Sequence, residues 1–424
     1  MGLLLSGLLL GSCSRSTALA TDAGSTDGGD AGVDGQAVVD GGNSLRDAAV
    51  DSGETSDASD AAAFRCVGDT WDDDQDPATP CIAKTICIAS QYITNEGSAT
   101  TDRQCQTCAV GSYTTEENAS SCTPQTTCQP GEFVSATGTS LSDQECTPCP
   151  MGKISTTRDA PACAFTYQSV SAGWYHTCAI RTDGTLICFG DNSHGQAAPP
   201  SGEFTAVSAG ESHSCALRTD HTAICFGDDS YGQADAPAGT FNSIAAGHQH
   251  SCALGTDDTI TCWGDNSFGQ TQAPTGKFAS LSTTWDHGCA KKSNGTLTCW
   301  GRDTGGSAAA PSGSFLWISA GGFHNCGIQS VDDALNCWGD NSDGQIMAPL
   351  GRFLSVSAGG FHSCAIKSDS TLSCWGHGTS GQTTPPTGTF ISVSAGGYHS
   401  CALDSNNTLS CWGDNINAQA AVPQ

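Results

Sequence analysis

The stretch SAGWYHTCAIRTDGTLICFGDNSHGQ, residues 171–196, decides the fold, because variants of it recur up to the end of the chain. From Tyr167 onwards, seven copies of a unit of about 37 residues follow one another, and a period of this size is typical of solenoids and propellers. One histidine marks each copy: His176, His213, His250, His287, His324, His362 and His399.

Each copy contains three short runs typical of β-strands, which in the second copy are FTAVSAG, HSCALRT and TAICFGD. Consecutive short antiparallel strands suit a ring of small sheets, which leaves only short, protected edges. An open stack would need polar capping repeats, whereas the first and last copies look like the middle ones. The sequence therefore predicts an all-β fold with a seven-bladed β-propeller at residues 165–424. We expect the strand around residues 167–173 to complete the blade of the last copy.

The two cysteines of each copy are predicted to form a disulfide within one blade. In the first copy, a three-residue turn with Gly184 in the left-handed conformation places Cys178 directly opposite Cys188. In the fifth copy, a four-residue loop compensates for the extra residue. The expected pairs are Cys178–Cys188, Cys215–Cys225, Cys252–Cys262, Cys289–Cys299, Cys326–Cys337, Cys364–Cys374 and Cys401–Cys411. A redox-active or nucleophilic cysteine would instead require one special thiol among them.

Residues 64–163 hold ten further cysteines in a near-repeat, in which CAVGSYTTEENASSC is followed by CPMGKISTTRDAPAC. This region resembles the cysteine-rich modules of tumour-necrosis-factor-receptor-like proteins, which implies a small, disulfide-rich and loop-rich domain. We expect sequential pairing, although spacing alone does not fix connectivity: Cys66–Cys81, Cys87–Cys105, Cys108–Cys122, Cys128–Cys146 and Cys149–Cys163.

Two metal-binding alternatives arise in this region. The C-x2-C pairs at Cys105/Cys108 and Cys146/Cys149 are also typical of zinc sites, but the surrounding cysteines favour disulfides. The acidic run DDDQD at residues 72–76 resembles a calcium loop, but it lacks the required glycine and the closing glutamate. We therefore interpret it as a solvated acidic turn and predict no metal site.

The N-terminal sequence indicates export. The run MGLLLSGLLLGSC is too short to span a bilayer, and LGSC resembles a bacterial lipobox, which implies a lipoprotein signal at residues 1–13 with an acylated Cys13. No lysine or arginine precedes the run, and a secretory signal cleaved after Ala20 is the alternative. The Asp/Gly/Ala/Ser-rich residues 14–63 are predicted to be a disordered linker. We expect lipid anchoring at the outer membrane or cell surface, with a secreted or periplasmic protein as the alternative.

The composition limits the classes of partner. The chain has 15 Lys and Arg residues against 43 Asp and Glu residues, a net charge of −28, which repels phosphate backbones and excludes nucleic acid as a partner. Its 25 cysteines indicate an oxidising compartment. We expect a monomer that touches the membrane only through its lipid anchor.

The stretch GWYHTCAIRTDGTLICFGDNSHGQ resembles a repeat of the regulator-of-chromosome-condensation superfamily of seven-bladed propellers. The short unit is similar to that of the bacterial members, which include propeller-type β-lactamase inhibitor proteins. The resemblance implies the fold far more than the function, because this superfamily includes nucleotide-exchange factors, enzyme inhibitors and binding proteins.

Residues that recur in every copy are expected to be structural. A histidine two positions before each first cysteine is typical of one hydrogen bond made seven times, although seven histidines facing the axis would also hold an ion. The aromatic residue before each glycine of G-D-N-S is expected to pack between blades.

Function is expected where the copies differ, in the turn before each histidine and in the G-D-N-S-x-G-Q loop. Aromatic side chains with polar neighbours are typical of binding hot spots, although turn aromatics also pack on adjacent blades. The fourth copy departs most from the pattern. The candidate binding residues are Trp174, Tyr175, His194, Tyr231, Phe268, Trp285, Arg302, Phe323, Phe361 and Tyr398.

These observations favour a lipid-anchored surface protein, for binding, adhesion or scaffolding, whose propeller rim binds a protein or a glycan. An inhibitor of an extracellular or periplasmic enzyme is the alternative. A propeller enzyme acting on polysaccharide, with carboxylates such as Asp286 and Asp343 paired across the ring, is a third possibility. The chain lacks HExxH, G-x-S-x-G and P-loop motifs, so we predict no catalytic residues and no cofactor.

Overall fold

The computed structural model describes residues 66–76 and 78–423. The predicted lipidation at Cys13 and the linker at residues 14–63 lie outside these described residues. The described residues belong to one compact unit and form strands, turns and loops. No helix that could cross a membrane occurs among them.

The cysteine-rich region consists of five two-stranded antiparallel sheets, formed by successive strands. Their strands are β1 (Thr70–Trp71), β2 (Ile82–Ala83), β3 (Gln91–Asn95), β4 (Gln104–Thr107), β5 (Ser112–Tyr113), β6 (Thr123–Pro124), β7 (Glu132–Ala136), β8 (Glu145–Pro148), β9 (Lys153–Ile154) and β10 (Ala164–Phe165). Disulfides join the cysteines in sequential order: Cys66–Cys81, Cys87–Cys105, Cys108–Cys122, Cys128–Cys146 and Cys149–Cys163. The cysteines of both C-x2-C pairs are thereby used, which contradicts the zinc alternative.

The repeat region, residues 165–423, folds into seven three-stranded antiparallel sheets, each built from one copy. In chain order their strands are β11 (Tyr167–Ala172), β12 (His176–Arg181), β13 (Leu186–Gly190); β14 (Phe204–Ala209), β15 (His213–Arg218), β16 (Ala223–Gly227); β17 (Phe241–Ala246), β18 (His250–Gly255), β19 (Ile260–Gly264); β20 (Ser280–Thr284), β21 (His287–Lys291), β22 (Leu297–Gly301); β23 (Phe315–Ala320), β24 (His324–Gln329), β25 (Leu335–Gly339); β26 (Phe353–Ala358), β27 (His362–Lys367), β28 (Leu372–Gly376); and β29 (Phe390–Ala395), β30 (His399–Asp404), β31 (Leu409–Gly413).

The hairpin between the second and third strands of each sheet has the expected register. Cys178 lies directly opposite Cys188, and Gly184 has a positive φ of 85°. The position of Gly184 also has a positive φ in the other copies, where it is His221, Asp258, Gly295, Asp333, Ser370 or Asn407. Each sheet carries its own disulfide: Cys178–Cys188, Cys215–Cys225, Cys252–Cys262, Cys289–Cys299, Cys326–Cys337, Cys364–Cys374 and Cys401–Cys411.

The core of the repeat region lies between successive sheets. Ile180 and Leu186 of the first sheet, for example, pack with Phe204 and Ala216 of the second. Each interface between two successive sheets is called a seam below. The N–H of Phe204 donates to the Gly184 carbonyl across the first seam (2.9 Å), and equivalent bonds cross the other seams.

The ring closes in a way that the sequence analysis predicted wrongly. The strand β11 pairs with β12 in the first sheet, and it does not complete the sheet of the last copy. The last and first sheets are instead joined by the same backbone hydrogen bond that joins the other sheets. The N–H of Tyr167 donates to the Asn407 carbonyl at 2.8 Å. Every copy, including the first and the last, therefore folds as a complete sheet.

The recurring histidines are buried seam residues. In six copies the Nε2 atom lies 2.7–3.0 Å from the side chain that follows the histidine of the next sheet. These partners are Ser214, Ser251, Asn325, Ser363, Ser400 and Thr177. The histidines therefore make the same hydrogen bond repeatedly, as expected of structural residues.

Burial also keeps these histidines neutral, because a charged imidazolium would lose its hydration. It lowers the pKa of His176 from 6.5 to about 4. The pKa values lowered to about 3 by the same cause are those of His213, His250, His324, His362 and His399. Burial lowers the pKa of His287 as well, although its hydrogen bond to Asn325 opposes this effect.

The third seam, between the sheets β17–β19 and β20–β22, lacks two polar contacts that the other seams have. The position that supplies the hydrogen-bond partner in the other seams is Gly288 here, and within the described residues neither ring nitrogen of His250 has a hydrogen-bond partner. In the other six seams a first-strand serine accepts a backbone N–H from the next sheet, for example Ser208 from Ala246 at 2.9 Å. In the third seam the equivalent residue is Ala245, which has no hydroxyl group.

Replacing Ala245 by serine is expected to stabilise the protein by about 1 kcal/mol, because the new hydroxyl group accepts the backbone N–H of Thr283. Urea unfolding followed by tryptophan fluorescence measures the change. As a matched control, Ser208→Ala removes the same bond from the second seam and is expected to destabilise by a similar amount. An Ala245→Ser variant with unchanged or lower stability would contradict this explanation of the seam.

Candidate functional site

Both sets of variable residues lie at the same end of the sheets, called the upper face. The turn before each histidine joins the first strand to the second, and the G-D-N-S-x-G-Q loop follows the third strand. The two are bonded to each other: the N–H of Asp191 donates to the Tyr175 carbonyl at 2.9 Å, and the other copies repeat this bond. The turns between second and third strands form the opposite end, called the lower face.

Six of the candidate residues meet in one group, called the aromatic patch: Trp174, Tyr175, Trp285, Phe323, Phe361 and Tyr398. They come from five different sheets. Trp174 of the first sheet and Trp285 of the fourth have ring centroids 4.4 Å apart, and Trp174 also contacts Phe361 and Tyr398 at 5.9 and 6.0 Å. Trp174 is buried at the centre of the patch, and the other five rings are half-buried around it.

Glycines in the neighbouring turns leave room for the buried ring of Trp174. A Cβ atom on Gly397 would lie 3.0 Å from Cε3 of the Trp174 ring, and one on Gly360 would lie 3.3 Å from its Cη2 atom. The first residue of each turn is also crowded, since a Cβ on Gly173 would lie 2.5 Å from the Gly210 carbonyl oxygen. The turns of successive sheets therefore approach closely, so that side chains from opposite sides of the ring meet.

The patch closes one end of a cavity of about 140 Å³ on the axis of the ring. Its wall consists of the last residues of the first strands and the turn glycines, together with Trp174. Most of the wall serines already accept backbone N–H groups across the seams, as Ser208 does from Ala246. These serines therefore serve the seams, and the variable side chains at this end of the cavity are those of the aromatic patch.

A polar cluster borders the patch at the third seam. The ring of His248 stacks on Trp285 with centroids 4.4 Å apart, and its Nε2 atom lies 2.5 Å from Oε2 of Glu211. Asp286, which is only 4% exposed, lies 3.5 Å from His248 Nδ1 and 3.3 Å from the guanidinium of Arg302. Burial alone would raise the pKa of Asp286, but the neighbouring His248 and Arg302 outweigh it and lower that pKa.

The remaining candidates lie on the outer loops of the upper face. Tyr231 and Phe268 are about half exposed, at 52% and 49%, and His194 is exposed beside Ser193. The guanidinium of Arg302 lies over the Phe268 ring, 4.6 Å from its centroid. The upper face therefore combines a central patch of contacting aromatic rings with separate exposed residues around it.

Four polar residues of this face were not among the candidate binding residues, although Asp286 was considered for an enzyme: Glu211, His248, Asp286 and His377. The first three occupy the variable turn positions that were identified, and His377 replaces the aspartate of the loop in the sixth copy. Their departure from the consensus of the repeat was therefore the sequence feature that could have identified them. The carboxylates considered for an enzyme are bonded within their own surroundings, Asp286 to Arg302 and Asp343 to His377 at 3.1 Å.

The acidic turn at residues 72–76 is organised by local hydrogen bonds. Oδ1 of Asp74 accepts the N–H of Asp76 at 3.0 Å and the hydroxyl of Thr79 at 2.9 Å. The first of these bonds is the main cause that lowers the pKa of Asp74. The carboxylates of Asp72, Asp73 and Asp74 lie within 4.8 Å of one another on an exposed turn, which is close enough to hold a metal ion, so the solvated turn stays a prediction.

Comparisons with known proteins agree with this architecture. A model of the regulator of chromosome condensation (RCC1) repeat matches residues 167–196, 204–233, 241–270, 353–382 and 390–419. These matches fall on the first, second, third, sixth and seventh copies. The fourth copy, which departs most from the repeat pattern, is not among them, nor is the fifth, which carries the extra residue. A comparison with curated protein sequences finds no match.

Solved structures with similar folds include two receptor-kinase ectodomains. The CRINKLY WD40 ectodomain of the Arabidopsis thaliana receptor kinase ACR4 is 26% identical, with a TM-score of 0.52 over 60% of this chain and 97% of that one. The ectodomain of the Physcomitrella patens receptor kinase CR4 is 28% identical, with a TM-score of 0.51 over 58% of this chain and 74% of that one. Human WBSCR16, at 16% identity and a TM-score of 0.50 over 61% and 94% of the two chains, shares the fold.

The repeat matches fall on the three-stranded sheets, and the similar structures cover a share of the chain close to that of the repeat region. The chain therefore contains RCC1 repeats, which fold as three-stranded blades of an all-β propeller.

Proposed function

We propose that this chain is an exported binding protein, anchored by lipid at Cys13 to the outer membrane or cell surface. Residues 14–63 serve as a spacer, and residues 64–163 form a disulfide-rich stalk of receptor-like modules. Residues 165–424 form a seven-bladed propeller head, whose upper face binds a protein or glycan partner. The twelve disulfides support an oxidising location, as does the similarity to receptor-kinase ectodomains.

One observation carries the binding role. Aromatic side chains from five sheets meet in a single half-buried patch, although the repeat itself does not require aromatic residues there: the same turn positions hold Glu211 and Ser212 in the second copy. Clustered tryptophan and tyrosine side chains at the centre of a surface are typical of binding hot spots. The recurrent polar residues, in contrast, bond inside the seams, as His176 does, or within their own loop, as Gln196 does to Asp191.

Replacing Trp285 by alanine is expected to weaken capture of the partner roughly tenfold, because a central aromatic contact is lost. The test is crosslinking of the full-length chain to intact cells, with the captured material quantified by mass spectrometry. Trp317→Ala is the matched control, since Trp317 is exposed on the first strand of the fifth sheet, away from the patch. Its loss is expected to leave capture unchanged.

Equal capture by the two variants, or no reproducible capture by the unaltered chain, would rule out the aromatic patch as the binding site. Thermal unfolding of both variants shows whether either change acts through folding.

An inhibitor role is the narrower form of the proposal, and the concentration of the aromatic residues on one face supports it. If the captured partner is an enzyme, its activity with and without the chain decides this point.

A further inference from the structure

The two faces of the head differ in their basic side chains. Among the described residues of the repeat region, Arg302 is the one arginine or lysine on the upper face. The others end second strands or lie in the turns and loops of the lower face: Arg181, Arg218, Lys277, Lys291, Lys292, Arg352 and Lys367. Basic groups are thus concentrated at the end of the sheets that lies away from the aromatic patch.

Carboxylates, unlike the basic side chains, occur in similar numbers on both faces. The lower face carries nine, close in number to its basic groups: Asp183, Glu203, Asp220, Asp257, Asp258, Asp332, Asp333, Asp369 and Asp404. The upper face carries ten against a single arginine: Asp191, Glu211, Asp228, Asp229, Asp265, Asp286, Asp303, Asp340, Asp343 and Asp414. Asp235 lies in the segment that connects the two faces and is counted with neither. The aromatic patch is therefore surrounded by a strongly negative potential, which attracts positively charged groups to it.

Arg302 shows how this face holds a cation. Its guanidinium carbon lies 4.6 Å from the centroid of the exposed Phe268 ring, and its Nη1 atom lies 3.3 Å from a carboxylate oxygen of Asp286. A guanidinium favours this combination, because its flat face stacks on an aromatic ring while its edge donates to a carboxylate. The ring of Tyr398 is half-buried, and the neighbouring carboxylates of Asp343 and Asp414 offer the same combination to an incoming side chain.

We propose that the upper face binds a cationic segment of a partner protein, whose arginine or lysine side chains lie on the aromatic patch between the surrounding carboxylates. This inference rests on the proposed binding function and names the chemistry of the partner. A neutral glycan would use the aromatic rings but gain nothing from the negative charge, and an acidic glycan would be repelled by it. Charge complementarity therefore favours a basic protein segment.

The repeats themselves supply a variant that removes charge and keeps the side-chain bonds to the backbone of the loops. Asp229 and Asp303 each accept a backbone N–H five residues later, as Asn192 does at the same position of the first copy. Asn417 occupies the position of Asp343 in the last copy. The triple variant Asp229→Asn, Asp303→Asn, Asp343→Asn thus places asparagine where another copy already has it.

The lower face offers a control of equal charge. Asn294 accepts the same turn hydrogen bonds as Asp220 and Asp257, and Asn407 has the same positive φ as Asp258. The control variant is therefore Asp220→Asn, Asp257→Asn, Asp258→Asn. It changes the net charge of the chain by the same amount as the upper-face variant and leaves the aromatic patch and its carboxylates intact.

The probe is a short fluorescent peptide of alternating glycine and arginine, and its counterpart has every arginine replaced by uncharged citrulline. We measure anisotropy with the full-length oxidised chain at about 0.15 M salt, where exposed charges act over about 8 Å. The arginine peptide is expected to bind and the citrulline peptide not to bind. The upper-face variant is expected to weaken binding at least about fivefold, and the control variant to have no effect.

Three results would overturn the inference. Equal weakening by both triple variants would show attraction to net charge alone, and equal binding of both peptides would show that cations are not recognised. The third is failure of the arginine peptide to bind while a glycan array shows binding that Trp285→Ala abolishes. That third result leaves the proposed binding function intact, whereas the absence of any peptide, glycan or cell-surface capture removes both.

Discussion

Lowering the pH from 7 to about 4 is expected to unfold the repeat region in a transition that takes up several protons. The buried seam histidines have pKa values of about 3 to 4 in the folded chain, against 6.5 in the unfolded chain. Between those values the unfolded chain binds more protons, so the unfolding free energy falls as the pH decreases below about 6.5. Each such histidine contributes up to about 1.4 kcal/mol per pH unit.

The measurement is urea unfolding at a series of pH values, since the slope of unfolding free energy against pH gives the number of protons taken up. At least about four protons are expected between pH 6 and pH 4, because seven histidines share the same burial. His213→Gln is expected to reduce this number by about one. His194→Gln, which changes an exposed histidine, is the control and leaves it unchanged. An uptake of one proton or less would show that the seams tolerate charged histidines.

Reduction of the disulfides is expected to unfold residues 66–163 before the repeat region is affected. The buried apolar side chains of this region are few and mostly belong to the disulfides themselves: Cys66, Cys87, Cys108, Ala119, Cys128 and Ala160. Two-stranded sheets without an apolar core are marginal in water. The five disulfides, each contributing about 3 kcal/mol by restricting the unfolded chain, therefore supply most of the stability of this region.

In the repeat region, the first cysteine of each sheet is fully buried, as Cys178 is, and the sheets pack large side chains such as Phe204 and Phe278 between them. Hydrogen-exchange mass spectrometry during reduction at pH 7 distinguishes the two regions. Peptides from residues 66–163 are expected to lose protection first, and those from β12 and β15 last. Simultaneous loss in both regions, or earlier loss in the repeat region, would contradict this order.

Local structure followed from the repeated pattern. The spacing of Cys178 and Cys188 around Gly184 predicted the hairpin register, because side chains directly opposite in a hairpin depend only on loop length. The structural role of the recurring histidine followed from its repetition, but the pattern did not show that its hydrogen-bond partner lies on the next sheet. The assignment of the first strand was wrong. Each copy has the same three strand-like runs whether its first strand pairs within its own copy or with the neighbouring copy, so the pattern did not distinguish the two ways of closing the ring.

Contacts across the ring did not follow from the pattern. Trp174 and Trp285 were both identified as unusual, yet their contact depends on how closely seven turns approach the axis, which the glycines beside Trp174 set. Likewise, Glu211, His248 and Asp286 come from three copies, and their proximity depends on the angle between successive sheets. The repeated pattern predicts the strands and their pairing within each sheet, but it does not give the angle between successive sheets.

The closure of the ring has a consequence for the order of the chain. Because Tyr167 bonds to Asn407 as Phe204 bonds to Gly184, the joint between the last and first copies is equivalent to the joints within the chain. No strand is exchanged there, so the starting point of the cycle is structurally arbitrary. A circular permutation that joined the two ends of the repeat region and opened any other exposed loop would keep every sheet whole. The fold is therefore a property of the cycle, and the cycle can be entered at any of its seven joints.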